Sequence, residues 1–502
     1  MLFLAETAQG GAAELVWPFL CSLITALSLT PLFRRMAGPL GLVDKPDGHR
    51  KIHADPVPRV GGLVLMCGLT LTTALWIWWQ VVTNSGLLPP VGRMASLLGG
   101  VAVLVLVGVV DDRFDLRGRH KLFGQILAVT LVILPGGLQI NQIEFMNRSI
   151  PLGPLAIPFT YFLFLGAINA ANLLDGMDGL LTSVGLVGAI TLAVLAYLTG
   201  QQITLVLAVA MAGALLGFLT YNRPPASVYL GDSGSMSVGL LLTMMAVNLE
   251  RKNDAPLPLA LPVCLLFLPI LDTAAAIIRR KLTGKSIYTA DRGHLHHILA
   301  MAGWLPAHVM LLVAALGLVT STALILALRW QDDRVAWLTL VVMGLVIVGL
   351  DLFGKSECRL VLARVGQAFR YPGQTGMESG KSGMFICLQG SGPWKEIWQE
   401  LLTQAGELNL QAVFLDVNMP VVHESIHARW TKAGGSLATG TCWKIELPVL
   451  QLGMVVGRVT LQGDPKDEEV WRVLARMQPL LAKFAALIQA QQPVLPPVRQ
   501  LA

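Results

Sequence analysis

Apolar residues in this chain come in long runs rather than alternations. From about residue 13 to residue 353 the runs are roughly 17–22 residues each, enough for a helix to cross a hydrocarbon core about 30 Å thick. Eleven such spans are expected, near residues 13–33, 61–82, 94–111, 122–136, 154–171, 180–198, 202–221, 232–249, 257–278, 307–328 and 335–353. The pattern predicts an all-α polytopic membrane domain over residues 1–354, with about eleven transmembrane helices. Beyond Lys355 the pattern changes. Short apolar runs at 383–388, 410–415, 443–447 and 454–461 lie between glycine-containing turns and read as strands. Residues 394–408 and 468–490 carry apolar positions at helical spacing. A soluble α/β domain is therefore expected over residues 355–490, ligand-sensing or regulatory in pattern and without a catalytic constellation. Within it, His423 and His427 are four apart and would share a helix face as surface residues. The proline-containing tail, residues 491–502, is expected to be disordered.

Composition sharpens this reading. The chain is 54% hydrophobic and only 14% charged, where soluble domains carry about 25% charged residues. The net charge is +6, and its placement is informative. Alternate loops hold sixteen Lys and Arg residues on one side and six on the other. The richer set includes Arg34, Arg50, Arg59, Arg117, Lys121, Arg223, Arg279 and Arg292. By the positive-inside rule that side is cytoplasmic. The N-terminus is then outside and the C-terminal domain inside. No basic region precedes the first apolar run, so a cleaved signal peptide is not expected. The six cysteines form no CxxC pair and read as reduced apolar fillers. The basic residues are accounted for by membrane topology, and no nucleic-acid partner is expected.

The unusual polar clusters all fall on the cytoplasmic side, although only Lys and Arg were used to assign that side. Asp111 and Asp112 close the third span, and Lys121 and Gln125 open the fourth. Asn169, Asn172, Asp175 and Asp178 lie at the end of the fifth. Residues 229–236 (Tyr-Leu-Gly-Asp-Ser-Gly-Ser-Met) open the eighth, and residues 292–297 (Arg-Gly-His-Leu-His-His) precede the tenth. A carboxylate beside a lipid-facing helix costs about 2.5–3.5 kcal/mol, so the clustering points to a polar site. On the opposite side Glu250, Asp254, Asp332 and Asp333 read as solvated connectors.

Hard oxygen donors without cysteine suit Mg²⁺, or Mn²⁺. Backbone amides at residues 231–235, leading into a helix, could hold phosphate oxygens. The histidines and Arg292 could neutralise phosphate charge. Together the parts suggest metal-assisted phosphoryl transfer at the membrane surface. Taken singly, each has a plainer reading. Asp111 and Asp112 could be a helix-end pair, Asp232 a helix cap, and His294, His296 and His297 surface residues. An ion-coupled transporter is a further class that buried carboxylates can signal. Here, however, the acidic groups sit at helix ends on one side, and no internal repeat joins two halves.

Five ordered motifs carry a resemblance. They are Asp-Lys-Pro-Asp-Gly-His-Arg-Lys-Ile-His at 44–53 with Pro-Arg-Val-Gly-Gly at 58–62, Gly-Val-Val-Asp-Asp at 108–112, Asn-Ala-Ala-Asn-Leu-Leu-Asp-Gly-Met-Asp-Gly-Leu at 169–180, Gly-Asp-Ser-Gly-Ser at 231–235, and Asp-Arg-Gly-His-Leu-His-His-Ile-Leu at 291–299. Over about residues 10–355 the chain resembles the polyprenyl-phosphate N-acetylhexosamine-1-phosphate transferases. The His-Leu-His-His pattern is similar to the UDP-GlcNAc-using branch. The alternative within the family is the phospho-MurNAc-pentapeptide transferase of peptidoglycan synthesis. Gly293 departs from the pattern, in which a bulkier residue precedes the first histidine, and would leave the loop more flexible.

The resemblance implies transfer of a sugar 1-phosphate, GlcNAc-1-phosphate by branch, from a UDP-sugar to polyprenyl phosphate. UMP is released, Mg²⁺ is required, and the reaction begins cell-envelope polysaccharide synthesis at a bacterial inner membrane. It further implies that Asp232 is the main metal ligand, with Asn172 lining that site. Asp111 would deprotonate the lipid phosphate with Asp112 in support. Asp175 and Asp178 would lie near metal and nucleotide. Asn169, Lys121, Arg292, His294, His296 and His297 would contact substrate. The resemblance leaves open the exact sugar, direct or two-step displacement, and whether the protein is a homodimer.

Overall fold

A computed structural model describes residues 13–44, 56–83, 91–249, 256–282, 293–350 and 352–354. Further on it describes 384–389, 394–419, 424–432, 443–451 and 454–463, with scattered single residues and one short helical piece at 475–479. The chain divides into two compact units, Met1–Ala274 with His294–Leu350, and Ala275–Gly293 with Asp351–Ala502.

Each of the eleven apolar stretches contains helix. In order these are α1 (Ala13–Leu40), α2 (Gly61–Thr83), α3 (Val91–Phe114), α4 (Gly118–Ile133), α5 (Ala156–Leu174), α6 (Leu180–Thr199), α7 (Gln202–Asn222), α8 (Gly231–Leu249), α9 (Ala260–Leu265) with α10 (Phe267–Leu282), α12 (Pro306–Trp330) and α13 (Arg334–Gly349). The short helix α11 (Leu295–Met301) lies before α12. Among the described residues seven helices are long and apolar enough to cross a membrane. Large apolar side chains such as Leu106, Phe123, Phe162, Leu311 and Leu345 stand exposed on the outer faces. Such a perimeter suits lipid, because every backbone polar group inside a helix is already paired.

The ninth stretch departs from expectation. It is not one span but a two-residue strand, Leu257–Pro258, followed by α9 and α10 with a break at Leu266. Pro269 explains the break. It has no N–H to offer, and its ring would collide with the carbonyl four residues back, at Leu265.

Helix α8 is the axis of the membrane unit, and Ser233 through Leu249 are all buried. It packs against α2, α3, α5 and α6. Small residues allow this. A Cβ on Gly108 of α3 would fall 2.2 Å from Ser233 Cα, and one on Gly62 of α2 would fall 2.4 Å from the Ser233 carbonyl carbon. Close backbone approach through small residues is how helices associate where lipid gives no hydrophobic drive. The first turn of α8 is thereby enclosed by the ends of α2 and α3.

At the other end of the unit, Gln142–Phe145 and Arg148–Pro151 form a hairpin. Asp333, expected as a solvated connector, is instead buried at the start of α13. Its carboxylate accepts N–H groups from Met146 (2.9 Å) and Asn147 (2.7 Å) in the hairpin turn and from the Trp337 indole (3.0 Å). It latches the hairpin to α13.

The second unit holds a five-stranded antiparallel sheet. After the short strands β1 (Val43–Asp44), β2 (Val57–Pro58), β3 (Gln142–Phe145), β4 (Arg148–Pro151) and β5 (Leu257–Pro258) of the first unit, the strands of this sheet are β6 (Met384–Gln389), β7 (Ala412–Met419), β8 (Glu424–Thr431), β9 (Trp443–Gln451) and β10 (Met454–Gly463), in the order β6-β8-β7-β10-β9. Helix Trp394–Glu407 packs Trp398, Leu401 and Ala405 onto Val413, Leu415, Ala428, Val459 and Leu461. Strand β8 was not legible in the sequence. It contains His427, so that residue is not on a helix face; His423 lies outside the described residues.

Candidate active site

Asp111 and Asp112 are neighbours at the end of α3, and their carboxylates go to different places. Asp112 accepts the backbone N–H of Asp232 at 3.0 Å and of Ser233 at 3.2 Å. These are orphan amides of the first turn of α8, which a helix cannot satisfy itself. Asp112 thus caps α8 from another helix, and those two amides are not free for phosphate, contrary to the sequence expectation. Gly231 makes the approach possible. Its φ is +71°, and a Cβ there would fall 2.8 Å from Asp112 Oδ2. Arg59 Nη1 lies 3.9 Å from Asp112 Oδ1, while Arg59 Nη2 donates to Asp44 at 2.5 Å.

Asp111 accepts the Leu116 N–H at 2.8 Å through one oxygen and pairs with Lys121 Nζ at 2.9 Å through the other. Lys121, in the first turn of α4, also donates to Asp232 Oδ2 at 2.6 Å and to Asn172 Oδ1 at 3.1 Å. Asn172, in the last turn of α5, donates to Asp232 Oδ1 at 2.7 Å and to Ser235 Oγ at 2.8 Å. Four helix ends therefore converge on Asp232. Asn169, one turn earlier on α5, does not join them. Its carboxamide exchanges hydrogen bonds with Gln125 of α4, at 2.9 and 3.2 Å.

Asp175 ends α5, and Asp178 follows in the turn to α6. Asp178 accepts the Ala226 N–H at 2.8 Å. Both line an open cavity of about 370 Å³ with Asp112, Asp232, Arg59 and Tyr229, a volume in the range of small-molecule sites. Removal from water, and then the carboxylates of Asp232, Asp112 and Asp178, push the Asp175 pKa well above the usual carboxylate range. Burial, then Asp178 and Asp44, raise the Tyr229 hydroxyl, so it stays a donor at the cavity wall.

The histidine segment meets this site at one turn. His294 Nδ1 lies 2.9 Å from Asp272 Oδ2, and the Leu295 N–H donates to Asp272 Oδ1 at 2.9 Å. His296 is buried, and a Cβ on Gly176 would fall 2.4 Å from its Nε2. Only a glycine turn lets the ring come so close to residues 175–178. Burial, then His297, lower the His296 pKa to about 3. Burial thus disfavours the charged form of His296. His297 is exposed, and Arg292 lies outside the described residues. Gly293 leaves room for Arg279, whose guanidinium carbon would be 2.5 Å from an added Cβ. The glycine thus serves close packing rather than slack.

Sequence reasoning gave no role to Asp44, Arg59, Gln125, Tyr229 or Asp272. Asp44, Arg59 and Tyr229 stood within or beside motifs and could have been singled out. Asp272, a lone carboxylate inside an apolar stretch, was itself a signal by the cost of burying charge, but local pattern does not show its partner 22 residues away.

Among the described residues no group of three or more His, Cys, Asp or Glu side chains is gathered for a metal. The oxygens of Asp232, Asp111 and Asn172 instead surround the Lys121 ammonium, a cation standing where another cation could stand. Mg²⁺ needs only one or two carboxylates, with water and phosphate completing its shell, and this donor set fits it.

Comparison with known proteins identifies the group. Glycosyl transferase family 4 matches residues 94–250, which run from α3 to α8 and include Asp111, Asp112, Lys121, Asn172 and Asp232. The probable undecaprenyl-phosphate N-acetylglucosaminyl 1-phosphate transferase of Bacillus subtilis (strain 168) is 31% identical over 344 residues, covering 68% of this chain and 92% of that protein. The chain belongs to glycosyl transferase family 4. Two further family relatives are similar. The decaprenyl-phosphate N-acetylglucosaminephosphotransferase of Mycobacterium tuberculosis (strain ATCC 25618 / H37Rv) is 32% identical over 322 residues, covering 58% of this chain and 77% of the relative. The undecaprenyl-phosphate alpha-N-acetylglucosaminyl 1-phosphate transferase of Escherichia coli (strain K12) is 26% identical over 342 residues, covering 66% and 89%.

Proposed function

We propose that this chain transfers N-acetylglucosamine 1-phosphate from UDP-GlcNAc to a polyprenyl phosphate and releases UMP. The reaction takes place at the cytoplasmic face of a bacterial inner membrane. The observation that carries this reading is the convergence of Asp111, Lys121, Asn172 and Asp232 from four helix ends beside an acidic, open cavity. The names of the relatives support the same sugar and the same lipid class.

Both substrates bring phosphate anions to one point, so repulsion is the first barrier. Asp232, with Asp111 and the Asn172 carbonyl, would hold Mg²⁺, which when bound supplies charge neutralisation and polarisation of the diphosphate. Asn172 Nδ2 fixes the rotamer of Asp232. Asp112 fixes the helix that carries Asp232. Arg59 and the Tyr229 hydroxyl face the cavity as donors for the nucleotide diphosphate. Asp111 would take any proton left on the lipid phosphate. A phosphate monoester near pH 7 has already lost at least one, so this step contributes modestly, and positioning with charge stabilisation dominates.

The test is UMP release from UDP-GlcNAc by the purified protein. It should require both polyprenyl phosphate and a divalent cation. Release independent of the lipid would contradict transfer.

A further inference from the structure

The Lys121 ammonium occupies the centre of the oxygen set. It lies 2.6 Å from Asp232 Oδ2, 2.9 Å from Asp111 Oδ2 and 3.1 Å from Asn172 Oδ1. These oxygens belong to α8, α3 and α5, and the lysine comes from α4. The oxygens of Asp112 are engaged elsewhere, on the first amides of α8. Arg59 is directed to Asp44 and Asp112. Lys121 thus holds the Asp111 and Asp232 carboxylates in one place.

Mg²⁺ on these oxygens would need contacts of about 2.0–2.1 Å, shorter than the 2.6–3.1 Å contacts that Lys121 makes. The same lone pairs cannot serve both cations, and a unit positive charge about 3–4 Å from a divalent ion is strongly repulsive. A lysine has a flexible four-carbon stem and can leave without moving its helix. Resting on the metal-assisted reading above, we propose that Lys121 is a resident counter-ion of this site. It holds Asp111 and Asp232 in register while no metal is bound, is displaced when a divalent cation binds between them, and is then free to pair with a substrate phosphate. Metal affinity is thereby set below what the oxygens alone would give.

Mn²⁺ alone can test this on the full-length, metal-stripped protein in detergent, with free Mn²⁺ followed by electron paramagnetic resonance and no substrate present. Lys121→Met should bind Mn²⁺ about 10-fold more tightly than wild type, the order expected on removing a nearby like charge. Lys121→Arg should stay close to wild type. UMP release by Lys121→Met should nevertheless fall. Lys121→Gln gives the same comparison if the Met variant does not fold. Unchanged or weaker Mn²⁺ binding in a folded, uncharged variant overturns the counter-ion role, provided Asp232→Asn still abolishes binding. Mn²⁺ binding that is absent in wild type, or indifferent to Asp232→Asn, overturns the metal reading itself and the counter-ion role with it.

Discussion

The two aspartates at the end of α3 differ by one position and do different work. Asp112 spends both oxygens on the amides of Asp232 and Ser233. Asp112→Asn keeps the shape but offers one acceptor in place of two and turns an NH₂ toward N–H groups. It should cost about 1–2 kcal/mol, seen as a lower thermal unfolding midpoint together with reduced turnover. Asp111→Asn should leave the fold near wild type and lower kcat while UDP-GlcNAc binding is largely kept; an unchanged kcat would remove Asp111 from the reaction. His296 makes a pH prediction. Its pKa moves from an ordinary value near 6.5 to about 3. Between those values the folded ring is neutral and the unfolded one charged, so the unfolded chain binds the extra proton. The contribution of His296 is full above about pH 6.5 and falls as pH drops toward 3. The loss of thermal stability between about pH 7.5 and pH 5 should be smaller in His296→Gln than in wild type; an equal loss would show that the ring is charged in the folded protein.

Among the elements, apolar run length was the readable signal. The helices of the membrane unit follow it closely, because a membrane span must satisfy its own backbone over a fixed distance. What local pattern could not show was pairing at a distance. Pro269 split the ninth stretch by a steric rule, and the split could have been read from the sequence. Strand β8 was missed because Glu424-Ser-Ile-His-Ala-Arg-Trp-Thr431 mixes charged and apolar positions, and its strand character comes from lying between β6 and β7. The site shows the same division. The aspartate clusters were visible as polar groups beside lipid. The capping by Asp112, the Asp272–His294 pair and the neutrality of His296 arise only when helices meet. Asp333 belongs here too. Replacing it with Ala leaves three N–H groups without their acceptor. It should lower the unfolding midpoint by an amount equivalent to about 2–3 kcal/mol, while UMP release at permissive temperature persists, since the latch serves the hairpin rather than the Asp232 site.

For the molecule as a whole, the two units have different physical characters. The membrane unit is built on a buried, small-residue helix, α8, and an exposed apolar perimeter. The second unit has a sheet core of its own, centred on Val413, Leu415, Val459 and Leu461. We assign the chemistry to the first unit, which carries Asp111, Lys121, Asn172 and Asp232. The central claim is that Asp232, oriented by Asn172 and carried on a helix capped by Asp112, organises metal-assisted transfer of a sugar phosphate to lipid. Its most direct test is formation of labelled GlcNAc-1-phosphate-linked polyprenyl phosphate from UDP-GlcNAc by wild-type and Asp232→Ala protein, with and without Mg²⁺. The account predicts product for wild type only when Mg²⁺ is present, and a loss of at least about 10³-fold for Asp232→Ala with folding retained. Near-normal transfer by Asp232→Ala, or by wild type stripped of divalent cations, would contradict it.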